Sequence, residues 1–255
     1  MRLITKPALF LVIAGAIFSD SIKYNTPNNH GSIGVINIPT ARFYEESSSA
    51  FTLYRGNPDR KITITMMPYD WFEASIFYTS IKGKPYGDFS QDYKDKGFNA
   101  KFRLKSEGRL PALAIGFNDI GGTGIYSSEY IVSSYGIDNI DFHLGIGWGR
   151  MNGGNFQYKN PLGNIDESFY IRSSELGQGG ELRIDDYFSG ENIGVFGGFN
   201  YLINDDWLFK FEYDSTEIPE GLYFPERSSN TSFAVDYIED ENFSIGLSFE
   251  RGDYL

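Results

Sequence analysis

The feature that most restricts what this chain can fold into is a period-two alternation of apolar and polar side chains. Trp207, Phe209, Phe211 and Tyr213 share one face, and Leu208, Lys210, Glu212 and Asp214 share the other. Phe98, Ala100, Phe102 and Leu104 alternate with Asn99, Lys101, Arg103 and Lys105. Phe142, Leu144, Ile146 and Trp148 alternate with Asp141, His143, Gly145 and Gly147. Residues 232–237 and 243–250 repeat the pattern, and weaker versions cover 51–56, 61–67, 71–80, 111–118, 129–135 and 193–202. The pattern predicts roughly eleven strands of about 7–11 residues, the length a tilted membrane strand needs.

A β-sandwich also alternates, with its apolar faces packed together, but its strands average only about 5–6 residues. The connections give a second criterion. Residues 106–110, 136–138, 203–205 and 239–241 are short turns, whereas 81–94, 119–128, 150–192 and 215–228 are long. Short and long alternate strictly from the third strand onward when 181–184 is left out of the wall, which places GGELRIDDYFSG (179–190) in the long loop. Short turns at one end and long loops at the other mark an up-and-down barrel. The predicted fold is therefore all-β, an antiparallel up-and-down transmembrane β-barrel of roughly 10–12 strands.

Composition agrees. The hydrophobic fraction of 41% is low for a packed core because half of every strand faces something polar. Eighteen tyrosines and 22 phenylalanines exclude a disordered chain. A net charge of -12 argues against nucleic acid as a partner. The absence of cysteine excludes disulfides, a cysteine–zinc site, a thiol nucleophile and a lipidated N-terminal cysteine. Arg2 and Lys6 precede an apolar run (ALFLVIAGAIF, 8–18) that is too short to span a bilayer and suits a secretory signal, with small-residue cleavage points after Ala16 or Ser21. The expected organisation is a signal peptide at 1–21, an N-terminal segment at 22–48 and the barrel at 49–255.

Little in the chain suggests catalysis. His30 and His143 have no metal-ligand spacing, and no Gly-x-Ser-x-Gly elbow is present. Gly121, Gly122 and Gly124 lack the Gly-Lys-Ser/Thr and helix of a phosphate loop, so they read as a tight turn between strands. Gly145, Gly147 and Gly149 leave a bare stretch of wall that a loop, plug or sugar chain could approach. The expectation is no enzyme, no cofactor and no metal site. Lys101, Arg103, Glu129, His143, Lys210 and Glu212 are the candidates for lining a lumen and touching a glycan. Tyr54, Tyr69, Trp71, Tyr78, Trp148, Tyr201, Trp207, Tyr213 and Tyr237 lie near strand ends, as in a membrane girdle or a sugar-stacking platform.

Several stretches resemble the YjbH-type family of outer-membrane proteins tied to exopolysaccharide production. They are GVINIPTARFYEE (34–46), YKDKGFNAKFRL (93–104), IGFNDIGGTGIYSSEYIVSS (115–134), LGIGWGR (144–150), GGELRIDDYFSG (179–190) and FKFEYDS (209–215). The resemblance runs from residue 31 to the end. It implies an outer-membrane β-barrel that assists production or export of an extracellular polysaccharide. The implied partners are outer-membrane lipid, the polysaccharide, and periplasmic or other envelope export proteins. It brings no catalytic residues. Its motif positions include Pro39, Thr40, Asp95, Lys96, Gly97, Asp119, Gly121, Gly122, Ser128 and Glu129. Some members are lipoproteins, and members run longer, with a further barrel-like region; this chain has no cysteine and stops at FERGDYL. Two other functions fit the alternation: a secreted soluble β-sandwich that binds or cleaves glycans, and a general diffusion porin, whose lumen a long loop such as 150–192 could plug.

Overall fold

The computed structural model describes residues 25–56, 59–86, 89–173, 177, 179–217, 228–240 and 242–252. The signal-peptide reading of residues 1–21 lies outside them, as does part of the 215–228 connection. Twelve strands form one antiparallel sheet: β1 (Ser48–Arg55), β2 (Asp59–Tyr69), β3 (Phe72–Tyr86), β4 (Phe89–Lys105), β5 (Ala112–Ile120), β6 (Ser128–Ile137), β7 (Ile140–Gly147), β8 (Gln157–Lys159), β9 (Asn192–Asn204), β10 (Trp207–Tyr213), β11 (Thr231–Asp240) and β12 (Phe243–Phe249). Each strand pairs with the next, except that β7 pairs directly with β9 and the short β8 adds to β9 from the side. The sheet is not closed: no ladder joins β1 to β12 among the described residues. No helix among the described residues is long and apolar enough to cross a membrane, which says nothing of strands.

The alternation sets the register. In β2, Lys61, Thr63, Thr65 and Met67 are buried while Arg60, Ile62, Ile64 and Met66 are exposed. In β3, Glu73, Ser75, Phe77 and Thr79 are buried, and Ile76 and Tyr78 are exposed. The same inversion continues through β7, where Asp141 and His143 are buried between exposed Phe142 and Leu144. It reaches β12, where Ile245 and Leu247 point outward. The sheet thus hides its polar face and bares its apolar one, the reverse of a water-soluble protein. The sandwich reading needs two sheets with apolar faces packed together, and one sheet with a bare apolar face lacks that arrangement.

Connections follow the expected asymmetry with one correction. The residues predicted as a long loop, 81–94, instead extend the β3–β4 hairpin, with the ladder continuing to Tyr86 and Phe89. No periodic apolar signal marks this extension, and Gly83 and Pro85 disguise it in the sequence. The turns β2–β3, β4–β5, β6–β7, β9–β10 and β11–β12 lie at one end of the sheet and are short. The longest described connection follows β7. It holds β8 and four single-turn 3-10 helices, and Ile184–Asp186 is one of these rather than a wall strand, as predicted. Asn160 fastens it. This fully buried side chain accepts from Trp148 Nε1 and donates to the carbonyls of Phe169, Phe188 and Gly190.

Candidate functional site: an N-terminal plug in a polar cradle

What fills the hollow of the sheet is the chain's own N-terminal segment, residues 25–44. Ile33, Val35, Ile36, Ile38 and Ala41 are almost completely buried. Val35, Ile36, Ile38 and Ala41 pack on Ala112, Ala114, Tyr130, Val132, Phe196 and Ala234 from four strands. The segment folds back on itself through bridges Pro27–Ile33 and Gly34–Pro39. Thr40, a family-motif position, closes this loop by donating from Oγ1 to the Ile33 carbonyl at 3.1 Å, and Pro39 is the partner of Gly34 in the second bridge.

A buried segment must find partners for its backbone N–H and C=O groups, and the inward polar face supplies them. Glu212 on β10 accepts from three successive N–H groups, Ile36 at 2.8 Å, Asn37 at 2.9 Å and Ile38 at 3.2 Å. Ser134 on β6 accepts from Ala41 N at 2.8 Å. Lys101 on β4 donates to the Arg42 carbonyl at 2.7 Å and to Ser32 Oγ at 2.9 Å, and pairs with Glu73 on β3 at 3.2 Å. Arg42 joins Asp141 on β7 to Glu107 in the β4–β5 turn. Thr65 on β2 donates to Gly31 O at 2.8 Å, and Asp236 on β11 accepts from Thr26 at 2.6 Å. Asn29 and Asn37 both reach Glu250, just past β12, at 3.0 Å. One short segment therefore touches strands from both ends of the sheet, so the sheet curls around it. A gap left between plug and β3–β5, beside Glu73, Lys101 and Asn118, is about 20 Å³, room for about one water.

The predicted lumen residues distribute unevenly over this cradle. Lys101 and Glu212 hold the plug directly. Lys210 does so more weakly, donating to Pro27 O at 3.4 Å while paired with Asp236 at 2.8 Å. His143 lies 2.8 Å from Ser134 Oγ, behind the serine that anchors Ala41. Arg103 sits over the Phe43 ring at 4.7 Å, at the plug's exit. Glu129 is the exception. It shares the face of Ile131 and Phe117 rather than that of Tyr130, so it lies on the outer side of the sheet. There the long loop covers it: Arg172 pairs with its carboxylate at 2.7 Å and Phe188 N donates to it at 2.9 Å. Its position at the very start of β6, where the alternation begins, made its face unreadable.

The remaining motif positions form a turn and its support. Asp119 (φ 59°) and Gly121 (φ 66°) take left-handed backbone, and Asp119 Oδ2 accepts from Gly124 N at 3.0 Å and Tyr126 N at 3.1 Å. Asp95 Oδ1 accepts from Lys96 N at 2.8 Å, and the Lys96 side chain is exposed. A Cβ on Gly97 would meet the Phe77 ring within 2.9 Å, and one on Gly122 would meet the Lys96 carbonyl at 2.9 Å, so both need glycine for close packing. Ser128 accepts from Asn118 at 3.0 Å and donates to Tyr126 O at 3.1 Å. These positions build structure, and among the described residues no group of three or more His, Asp or Glu is placed to hold a metal. The bare wall at Gly145 is used as well: the Phe196 ring occupies the space where its Cβ would stand and packs there beside the plug.

His30 is expected to give the plug a pH dependence. Its Nδ1 lies 2.8 Å from Lys61 Nζ, and burial, then the Lys61 charge, push its pKa well below the usual imidazole value. A base depressed in the folded state is protonated more readily when unfolded, so stability is lost as pH falls below about 6.5. Proteolysis of residues 25–44 in folded protein is expected to speed up between pH 7 and pH 5, and His30→Gln is expected to flatten that dependence.

A single antiparallel sheet with a buried polar face, a bare apolar face and a plug of its own chain defines an inside-out β-protein. The chain belongs to the YjbH family: it matches the family described as "Exopolysaccharide biosynthesis protein YbjH" over residues 26–255. A similar curated protein is "Uncharacterized lipoprotein YjbH" of Escherichia coli (strain K12), 32% identical over 237 residues, or 89% of this chain. The matched stretch is 33% of that relative's length, so the chain spans about a third of it. No solved structure matches.

Proposed function

We propose that the chain is an outer-membrane β-barrel with its lumen closed by its own N-terminal segment, and that it serves production or export of an extracellular polysaccharide as a non-enzymatic envelope component. The observation that carries the membrane reading is the inverted burial. Phe51, Leu53, Ile64, Leu144, Ile245 and Leu247 are between 49% and 69% exposed, while Lys61, Lys101, Asp141, Lys210 and Glu212 are at most 3% exposed. Only an apolar surrounding makes that arrangement favourable. Aromatic pairs support it: Tyr69 stacks on Trp71 at 5.5 Å and Trp207 lies on Tyr237 at 5.2 Å, both at the short-turn end, where a girdle belongs.

The polysaccharide link is supported by the family's description and by the E. coli relative, whose name as a lipoprotein fits the envelope. The filled lumen favours an assembly or anchoring role over a conduit or general porin. The cradle is also acidic: Asp59, Glu73, Asp95, Asp141, Glu212 and Asp236 outnumber Lys61, Lys101, Lys210 and Arg42, which opposes passage of an acidic polymer. Partners are accordingly outer-membrane lipid and the polysaccharide machinery. Deletion of the gene in its host, with surface polysaccharide and outer-membrane fractions both measured, tests this. Loss of polymer, restored by the plugged wild-type chain, is expected. Unchanged polymer overturns the polysaccharide role, and recovery in the soluble periplasmic fraction overturns the membrane reading.

A further inference from the structure

The chain carries a net charge of -12, yet one patch of its outer surface gathers cations. Arg55 on β1, Arg60 on β2, Lys82 on β3, and Lys94 and Lys96 on β4 are all exposed. By alternation they share the outward face of their strands with exposed Leu53, Ile62, Tyr78 and Phe98. The register brings them together. Arg55 stands opposite Arg60, Arg60 opposite Ser80, and Ser80 opposite Lys94, while in the next row Tyr78 stands opposite Lys96. Lys82 lies two residues beyond Ser80 on the same face. We propose that these five cations, set around Ser80 and Tyr78, form a binding site for the phosphate groups of an outer-leaflet glycolipid.

None of the five makes an ion pair among the described residues. Asp59 and Asp95 on the same strands are buried on the inward face. Asp92, two residues before Lys94, is half-buried and has a partner of its own. Like charges directly opposite on neighbouring strands repel, so the Arg55–Arg60 pair is a cost that a bound anion removes. Arg60 and Lys94 flank Ser80 from its two sides, about 10 Å apart at two strand spacings, and their long side chains can converge on one phosphate between them. Position selects a lipid over a soluble anion. The cations adjoin the bare apolar surface of Leu53, Ile62, Ile64, Ile76 and Phe98 on the same four strands and the same face, so a molecule that meets both has acyl chains and an anionic head. A cation facing hydrocarbon is costly, which sets the row from Arg60 to Lys94 at headgroup level. Tyr78 stands at that border as an interfacial aromatic does, with Lys94 Nζ 5.9 Å from its ring centroid. The border lies at the end opposite the short turns, where the longer connections of an outer-membrane barrel face the cell exterior. The inference rests on the barrel reading, and the test separates the two.

Diphosphoryl lipid A, titrated into the purified full chain in a neutral detergent, is the probe, and dephosphorylated lipid A is the comparison. Saturable binding of the phosphorylated lipid is expected, weaker by about tenfold or more in Arg60→Gln/Lys94→Gln/Lys96→Gln, because each cation near a membrane surface adds its own attraction. The charge-preserving Arg60→Lys/Lys94→Arg/Lys96→Arg is expected to stay within about threefold of wild type. Dephosphorylated lipid A is expected to bind weakly, and equally to wild type and the glutamine variant. An excess of inorganic phosphate, or of polyglucuronate as a soluble acidic polymer, is expected to leave the lipid bound. Equal affinity in the glutamine variant, or no preference of the wild-type chain for the phosphorylated lipid, overturns the site. Displacement by polyglucuronate or by inorganic phosphate overturns its assignment to a lipid. The comparison of the two lipids is made on wild-type protein, so it decides the matter even if the variant misfolds. All of these outcomes leave the barrel standing, whereas a wild-type chain that is soluble without detergent removes the barrel and the site with it.

Discussion

Replacing Glu212 with alanine is expected to release the N-terminal segment from the sheet. The carboxylate is completely buried and serves three consecutive N–H groups of the plug as well as the Asn37 side chain. Alanine leaves those donors buried without an acceptor, at about 1–3 kcal/mol each, so the loss is on the order of 3 kcal/mol or more. Proteolysis within residues 25–44 is expected to accelerate by two orders of magnitude or more, about 1.4 kcal/mol per factor of ten. Closed protein in planar bilayers is expected to begin conducting small ions. Glu212→Gln keeps two of the acceptor sites with nearly the same shape and is expected to retain most of the protection, which separates release of the plug from general misfolding. Protection unchanged in Glu212→Ala would show that the apolar contacts of Val35, Ile36 and Ile38 hold the plug alone.

The second large effect belongs to the outer face. Ile64 lies at the middle of β2, is 49% exposed and is paired with Phe51 on β1 and Ile76 on β3. Arginine there is expected to destabilise the folded protein in lipid by about 2–4 kcal/mol, the cost of a cation near the bilayer midplane. The same substitution on a water-facing sheet is expected to fall within about 0.5 kcal/mol of neutral. Denaturant titration in lipid vesicles, read by the mobility difference between boiled and unboiled protein on gels, measures it. The short-turn end offers a control: Tyr69→Arg sits at the interface and is expected to cost under about 1 kcal/mol. A neutral Ile64→Arg would contradict the membrane reading.

The wall was legible in the sequence because strand alternation is a local, repeated signal. Residues 98–105, 207–214 and 243–250 divide between the two faces as their periodicity predicts, and 179–190 stays out of the wall. The occupant of the hollow was not legible. The N-terminal segment has no period, since its residues follow an irregular double turn, and its apolar side chains resemble any loop lead-in. The long loop looked the better plug on length alone, yet it lies partly outside the sheet, where Arg172 meets Glu129 and Phe188 packs on Phe117 and Trp148. Arg42, Glu73, Asp141 and Glu250 were the charges that spacing could not connect, because the contacts Ser32–Glu73, Arg42–Asp141 and Asn29–Glu250 that join plug to sheet span between 41 and 221 residues of chain. The one available hint was chemical. Glu212 and Lys210 sit among large apolar rings on a strand, where a charge is tolerated only if something inside the sheet meets it.

The central claim is that lipid surrounds this sheet while its own chain fills it. Nitroxide labels placed singly at residues 61–67, in a chain with no cysteine to remove, test it most directly in outer-membrane vesicles. Labels at Ile62, Ile64 and Met66 are expected to collide with oxygen and to be shielded from a water-soluble nickel chelate. Labels at Thr63 and Thr65 are expected to be shielded from both, because the plug lies over them. Free access of the nickel chelate to Ile62, Ile64 and Met66 would contradict the membrane, and free access to Thr63 and Thr65 would contradict the plug.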